Sequence, residues 1–331
     1  MLNKVKGLFS KRKIICSSNK AEHFPPDFVV KSGLGSYIAP ELNGYFLGQV
    51  LGATSHIDAK LNAFESDVLS KLKSQLKNTG NLFASLPRTE HSLDSLKTLL
   101  DSSSDVNNEE LIKLLKTDPV VLADAAVLAE SLKYQKGKPL ESFDDMINAL
   151  GITGLIELVE TSAKRPVLGQ NDGHFVEIAA PKLLRHAENT AEISAELAKM
   201  DGLNDFDAYL AGLLNNLGLF VGCHILDAVF DGKHSPNSKK FRQDFYDLCL
   251  KLTTALAREW KLPELVCQVF EMQSHGTSRD ECCRESINLY VADKLAKAHM
   301  MPQRLDLSGQ EIRVLVNRTH RAIDFSGIRL V

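Results

Sequence analysis

The sequence lacks most of the features that narrow a function quickly. Neither charge sign is in excess: 39 Lys and Arg stand against 42 Asp and Glu, a formal net charge of −3. So balanced a chain exerts no bulk attraction on nucleic acid, and any such binding would need a local patch. No run approaches the roughly 18 consecutive apolar residues of a membrane span. The start of the chain has no continuous apolar core of a secretory signal, so a cytoplasmic protein is expected. Of the six cysteines, at Cys16, Cys223, Cys249, Cys267, Cys282 and Cys283, none forms CxxC. The adjacent pair cannot readily bridge itself, and reduced thiols are the expectation. There is no glycine-rich phosphate loop, and Ser274 beside His275 has neither a GxSxG elbow nor a partner acid, which sets serine hydrolysis aside. Strand-like alternation is nowhere sustained over several segments, and this excludes the β architectures.

What is present is 331 residues, 44% apolar and 24% charged, enough for a large core or for two compact units. Residues 1–81 read as an N-terminal extension. Its first 20 residues hold Lys4, Lys6, Lys11, Arg12, Lys13 and Lys20 and no acid, with Leu2, Val5, Leu8 and Phe9 on one helical face. Such a segment can touch an anionic membrane weakly, although a solvated terminus is the simpler reading. From Ala21 to Ala53, prolines and glycines suggest irregular chain; from His56 to Lys77, apolar spacing suggests a helix. From Leu86 onward helix signals are dense. Asn107 and Glu110 resemble a capping box, and Asp118 with Pro119 forms an N-cap and first-turn proline. A break is expected at Leu150 and Gly151. The turn-rich KRPVLGQND at 164–172 divides this region into 82–165 and 173–300, and 301–331 reads as a helical tail. Lys164, Arg165, Lys239, Lys240 and Arg242 are taken as solvated loop charges, and the lone Trp260 as core.

The most informative stretch is Tyr209–Cys223, YLAGLLNNLGLFVGC, fifteen residues without a charge. A helix apolar all round is a core helix. This one holds two adjacent amides, Asn215 and Asn216, each costing roughly 1–3 kcal/mol to bury unless hydrogen-bonded. Gly212 and Gly218 weaken it further, which is justified where another backbone comes close.

AGLLNNLG resembles the AGLLHDIG-like helix of HD-superfamily metal-dependent phosphohydrolases, with Asn215 and Asn216 where that family has His and Asp. More closely, the region from Leu86 to about Met300 resembles the HDOD domain, the HD-related output domain of bacterial signalling proteins. The landmarks stand in order: Leu86–Pro87, Asp118–Pro119, Leu150–Gly151, Arg185–His186, AGLLNNLG, Trp260 with Leu262–Pro263, and Val291–Ala292–Asp293. The resemblance implies an all-α, HD-like multi-helix bundle behind an N-terminal extension. It also implies candidate site positions: His186 for the first histidine, Gln273 where relatives often carry a further histidine, and Asp293 for the final aspartate.

An asparagine supplies neither the anion nor the imidazole that a hydrolytic centre needs, and one histidine with one carboxylate falls short of three protein ligands. His224 lies too far along a continuous helix to substitute, and His275 cannot be placed from sequence. No catalytic residue, cofactor or metal ligand is therefore expected, and His186, Asn215, Asn216, Gln273 and Asp293 read as a vestigial site or a ligand pocket. Cys282 and Cys283 read as packing. The expected function is non-catalytic regulation in bacterial signal transduction, through contact with a signalling protein. The alternatives are a metal-dependent phosphohydrolase of nucleotides or phosphoesters, and a nucleotide-sensing module without hydrolysis.

Overall fold

A computed structural model of the chain describes residues 35–300 apart from 54–56, 58–59, 81, 83–85, 103–106, 132–139, 171 and 276–281. The basic stretch at 1–20 and the tail at 301–331 lie outside these residues. The described chain runs through α1 (Gly35–Val50), α2 (Ala63–Lys77), α3 (Ser92–Ser102), α4 (Asn108–Lys116), α5 (Pro119–Glu130) and α6 (Phe143–Ser162). It continues through α7 (His174–Met200), α8 (Asp205–Leu214), α9 (Leu217–Val229), α10 (Lys239–Trp260), α11 (Glu264–Ser274) and α12 (Arg284–His299). No β-strand occurs among the described residues; two isolated bridges, Ile57 with Ser238 and Arg88 with Val167, are the extended pairings present there. The all-α bundle is thus observed.

Caps begin these helices and also fasten them together. Asp118 Oδ1 accepts from the backbone N–H of Val120 and Val121 at the start of α5, ahead of Pro119. Its Oδ2 receives the Thr89 N–H at 2.7 Å and the Ser92 hydroxyl at 2.7 Å, so one carboxylate joins the Leu86–Pro87 entry to α5. Asn107 caps α4 by accepting from the Glu109 N–H. The reciprocal capping box lies at Asn62 and Glu65, where α2 begins. Glu65, 1% exposed, then accepts the Ser238 N–H and hydroxyl and ties α2 to the first turn of α10. Inside α6, Gly151 takes φ 57° and ψ −173°, a left-sided conformation that only glycine adopts freely, and the helix breaks there as expected.

α7 is the central column, packed against α1, α8, α9 and α12, while α10 packs against α2, α9 and α11. One continuous apolar core extends from Leu42 on α1 to Leu289 on α12. α1 and α2 therefore share the core of the region that follows them.

Four expectations need correction. The glycine-rich span from Ala21 to Ala53 is helical over Gly35–Val50; burial of Leu42, Phe46, Leu47 and Val50 outweighs weak intrinsic propensity. The helix expected from His56 starts only at Ala63, because Ile57 pairs with the Ser238 strip and Asn62 caps the helix. Tyr209–Cys223 is two helices, parted at Asn215 and Asn216. The Gly218 N–H, which a continuous helix would aim at the carbonyl four residues back, donates instead to Thr253 Oγ1 at 3.0 Å. Finally, Arg165 and Arg242 are buried at 9% and 4% exposure. Arg165 pairs with Asp124, and Arg242 donates to the Gly44 carbonyl within α1 and the Ala53 carbonyl just beyond it.

The small residues behave as their spacing suggested. A Cβ at Gly212 would overlap the Ala191 backbone of α7, and one at Gly218 would overlap the Cys249 carbonyl of α10. By composition Asp205–Val229 is apolar enough to cross a membrane, yet 83% of its most apolar window is buried inside the fold.

Candidate functional site

The break between α8 and α9 places its two amides at the centre of the molecule, facing α7. Asn216 Nδ2 donates to the Leu183 carbonyl at 3.1 Å and reaches His186 Nδ1 at 2.9 Å. An amide nitrogen can only donate, so Nδ1 accepts and the proton of the neutral ring lies on Nε2. That edge faces the Asp293 carbonyl oxygen at 3.4 Å and the Asp293 carboxylate at 3.6 Å. Thr190 Oγ1 gives its own proton to the His186 carbonyl at 2.7 Å. His186 is fully buried, and desolvation pulls its pKa down to about 4 despite the nearby carboxylate. The imidazole is neutral at pH 7.

Asp293 is held on both oxygens. Oδ1 accepts from Asn215 Nδ2 at 3.2 Å. Oδ2 accepts from Lys294 Nζ and from Lys297 Nζ, both at 2.8 Å. Burial alone would raise this carboxyl, but the two ammoniums outweigh it and hold the pKa below the ordinary carboxylate range. Lys297, 0% exposed, also donates to Tyr246 Oη at 2.8 Å and Asn43 Oδ1 at 3.0 Å, and Lys294 reaches the same Asn43 oxygen at 2.8 Å. Burial and the second ammonium lower the Lys297 pKa, against the pull of Asp293. Burial raises the Tyr246 pKa and keeps the phenol neutral.

The structure therefore brings together four of the five candidate positions: His186, Asn215, Asn216 and Asp293. Gln273 is engaged elsewhere, donating to the Ser286 carbonyl and hydroxyl between α11 and α12. His275 closes the end of α11 with Nδ1 on the Glu271 carbonyl. His224 belongs to a different neighbourhood, with Asp172 and Asp227 as its charged neighbours, and burial lowers its pKa. The residues missed in the sequence are Lys294, Lys297, Tyr246, Asn43 and Phe46, whose ring lies 4.6 Å from that of His186. One signal was legible: Lys297 follows Asp293 by four residues, on the same helical face, among Leu295, Ala296 and Ala298.

Do these residues fit a metal? Among the described residues no group of three or more His, Cys, Asp or Glu converges to hold one. At the family's ligand positions two of the four side chains are neutral amides, and the carboxylate is already neutralised by ammoniums. The donor set does not fit a catalytic divalent cation. The cleft lined by Asn215, Asn216, Tyr246 and Thr253 encloses about 0 Å³, too little for one water. α1 lies across the cluster with Asn43 and Phe46.

Comparison with known proteins bears on the family and the fold. The HDOD domain model matches residues 86–275. The MmoQ response regulator of Methylococcus capsulatus str. Bath is similar in fold, with a TM-score of 0.51 and 17% identity over 71% of this chain and 93% of that one. An HDOD domain protein of unknown function from Geobacter sulfurreducens aligns at 21% identity over 77% of this chain and 89% of that one, with a TM-score of 0.34. Curated protein sequences return no match. Asn43, Asp293, Lys294 and Lys297 lie outside the matched residues, on helices that pack onto them. With more than half of its length matched by the family model, the chain belongs to the HDOD domain family.

Proposed function

We propose that the protein is a non-catalytic regulator in bacterial signal transduction, working in the cytoplasm through contacts between its HDOD domain and a signalling protein. One observation carries the reading: the imidazole and the carboxylate that remain at the HD ligand positions are both engaged from within the chain. His186 accepts from Asn216, and Asp293 accepts from Asn215, Lys294 and Lys297. A hydrolytic site instead keeps a coordination position open for water or substrate. The response-regulator name of the Methylococcus protein points toward signalling as well.

The test uses the full chain, purified without a metal-affinity tag. Elemental analysis should find metal far below one per chain, and a generic phosphodiester should survive incubation with added manganese. Stoichiometric metal with turnover that disappears in Asp293→Ala would reverse the reading.

A further inference from the structure

We propose that Lys297, with Lys294 beside it, takes the place of the metal: its ammonium is the resident cation of the HD site, carried on a side chain rather than taken from solution. This rests on the non-catalytic reading and extends it to a cause.

The surroundings of Lys297 resemble a coordination shell. Its Nζ has three donors and meets three oxygen acceptors, Asp293 Oδ2 at 2.8 Å, Tyr246 Oη at 2.8 Å and Asn43 Oδ1 at 3.0 Å. The Tyr246 and Phe46 rings lie 4.7 Å and 5.1 Å from the same nitrogen, within cation–π range. The acceptors come from α12, α10 and α1, so three helices converge on one fully buried nitrogen. An ordinary surface pair would leave the ammonium in water; here it shares Phe46 with His186, the first family ligand position. Lys294 binds two of these same three residues, Asp293 and Asn43, from the adjoining position. Both ammoniums sit on Asp293 Oδ2, so a divalent cation bound to this carboxylate would have like charges as neighbours, and like charges repel strongly in a buried site.

The chain therefore lost metal binding in two ways, by amide substitution and by internal neutralisation, and reversing the first alone should not restore it. Full-length untagged wild type, Asn215→His with Asn216→Asp, and that pair combined with Lys297→Ala are titrated with Mn²⁺ alone by calorimetry. Wild type and the pair should show no saturable binding; the triple variant should bind one Mn²⁺ per chain, at least about tenfold more tightly than the pair. Equal Mn²⁺ affinity in the pair and the triple variant would overturn the assignment, as would a folded triple variant that binds none. If the triple variant does not fold, Lys297→Ala alone decides: its melting temperature should be several degrees higher in methylammonium chloride than in sodium chloride, while wild type is indifferent. No recovery in methylammonium overturns the proposal. Phosphodiester turnover by wild type with Mn²⁺ would instead break the non-catalytic reading, whereas Mn²⁺ binding by the pair without turnover breaks only the role given to Lys297.

Discussion

Two carboxylates, the partly buried Asp124 and the buried Asp293, solve the same problem differently. Asp124 faces one guanidinium: Arg165 donates from Nε and Nη2, both at 2.6 Å, in a bidentate pair. Ser162 and Trp260 Nε1 complete its shell at 3.1 Å and 3.0 Å, and the guanidinium lies 4.9 Å from the Trp260 ring. Charge is balanced one to one, and α5, the end of α6 and the end of α10 are joined. Asp293 faces two ammoniums, a neutral imidazole and an amide, so its cluster carries an extra positive charge when both lysines are protonated. The first arrangement needs nothing further to explain it than packing. The second keeps the outline of a metal site, with cations where a structural pair would need only one. α10 serves both, presenting Tyr246 to Lys297, Thr253 to the α8/α9 break and Trp260 to Asp124 at seven-residue intervals along one face.

The sharpest way to break this comparison is to remove each carboxylate. Asp124→Ala strands a buried guanidinium that cannot lose its charge, and urea unfolding should show a loss of about 3–5 kcal/mol. Asp293→Ala should cost less, because a lysine can release its proton when its partner is gone. Equal losses would mean that the lysines behave as a fixed ion pair. Gly218→Ala comes next. The new Cβ meets the Cys249 carbonyl and pushes α9 from α10, at a cost of about 1–3 kcal/mol toward the upper end, because the obstacle is backbone.

A pH series contrasts Asp293 with a third carboxyl. The Asp207 pKa is raised to about 7 by burial and by Glu130 and Glu285, whereas that of Asp293 is lowered. Between the ordinary aspartate value and pH 7 the folded chain holds a proton on Asp207 that the unfolded chain has released. Its contribution is therefore present in acid and lost as pH rises through about 7; the Asp293 contribution is present at neutral pH and lost on acidification. Asp207→Asn should flatten the decline of melting temperature toward pH 7 and leave the acid limb unchanged. The smallest effect is local: Asn107→Ala removes the α4 cap and should cost about 1 kcal/mol. In denaturation it should add to Asp124→Ala within roughly 0.5 kcal/mol, since the two share no partner.

Much of the fold could be read before any coordinates. The Asp118–Pro119 start of α5 and the Gly151 break follow from a cap, a first-turn proline and a glycine, all local signals. The burial of the asparagine pair could be read too, since an uncharged run has nowhere to go but the core. The hidden parts depend on distant partners. α1 forms in a glycine-bearing stretch because Leu42, Phe46 and Val50 are buried by helices far along the chain. The split between α8 and α9 turns on Thr253, 35 positions beyond Gly218.

The candidate site divides along the same line. From the sequence alone it follows that His186, Asn215, Asn216 and Asp293 lack the charge and imidazoles of a catalytic centre, because side-chain identity sets what can be a ligand. Only the tertiary structure decided what fills the deficit. Lys297 can remain buried because Asp293, Tyr246 and Asn43 reach it together, and an ammonium deprived of water is tolerated only where enough acceptors converge on it.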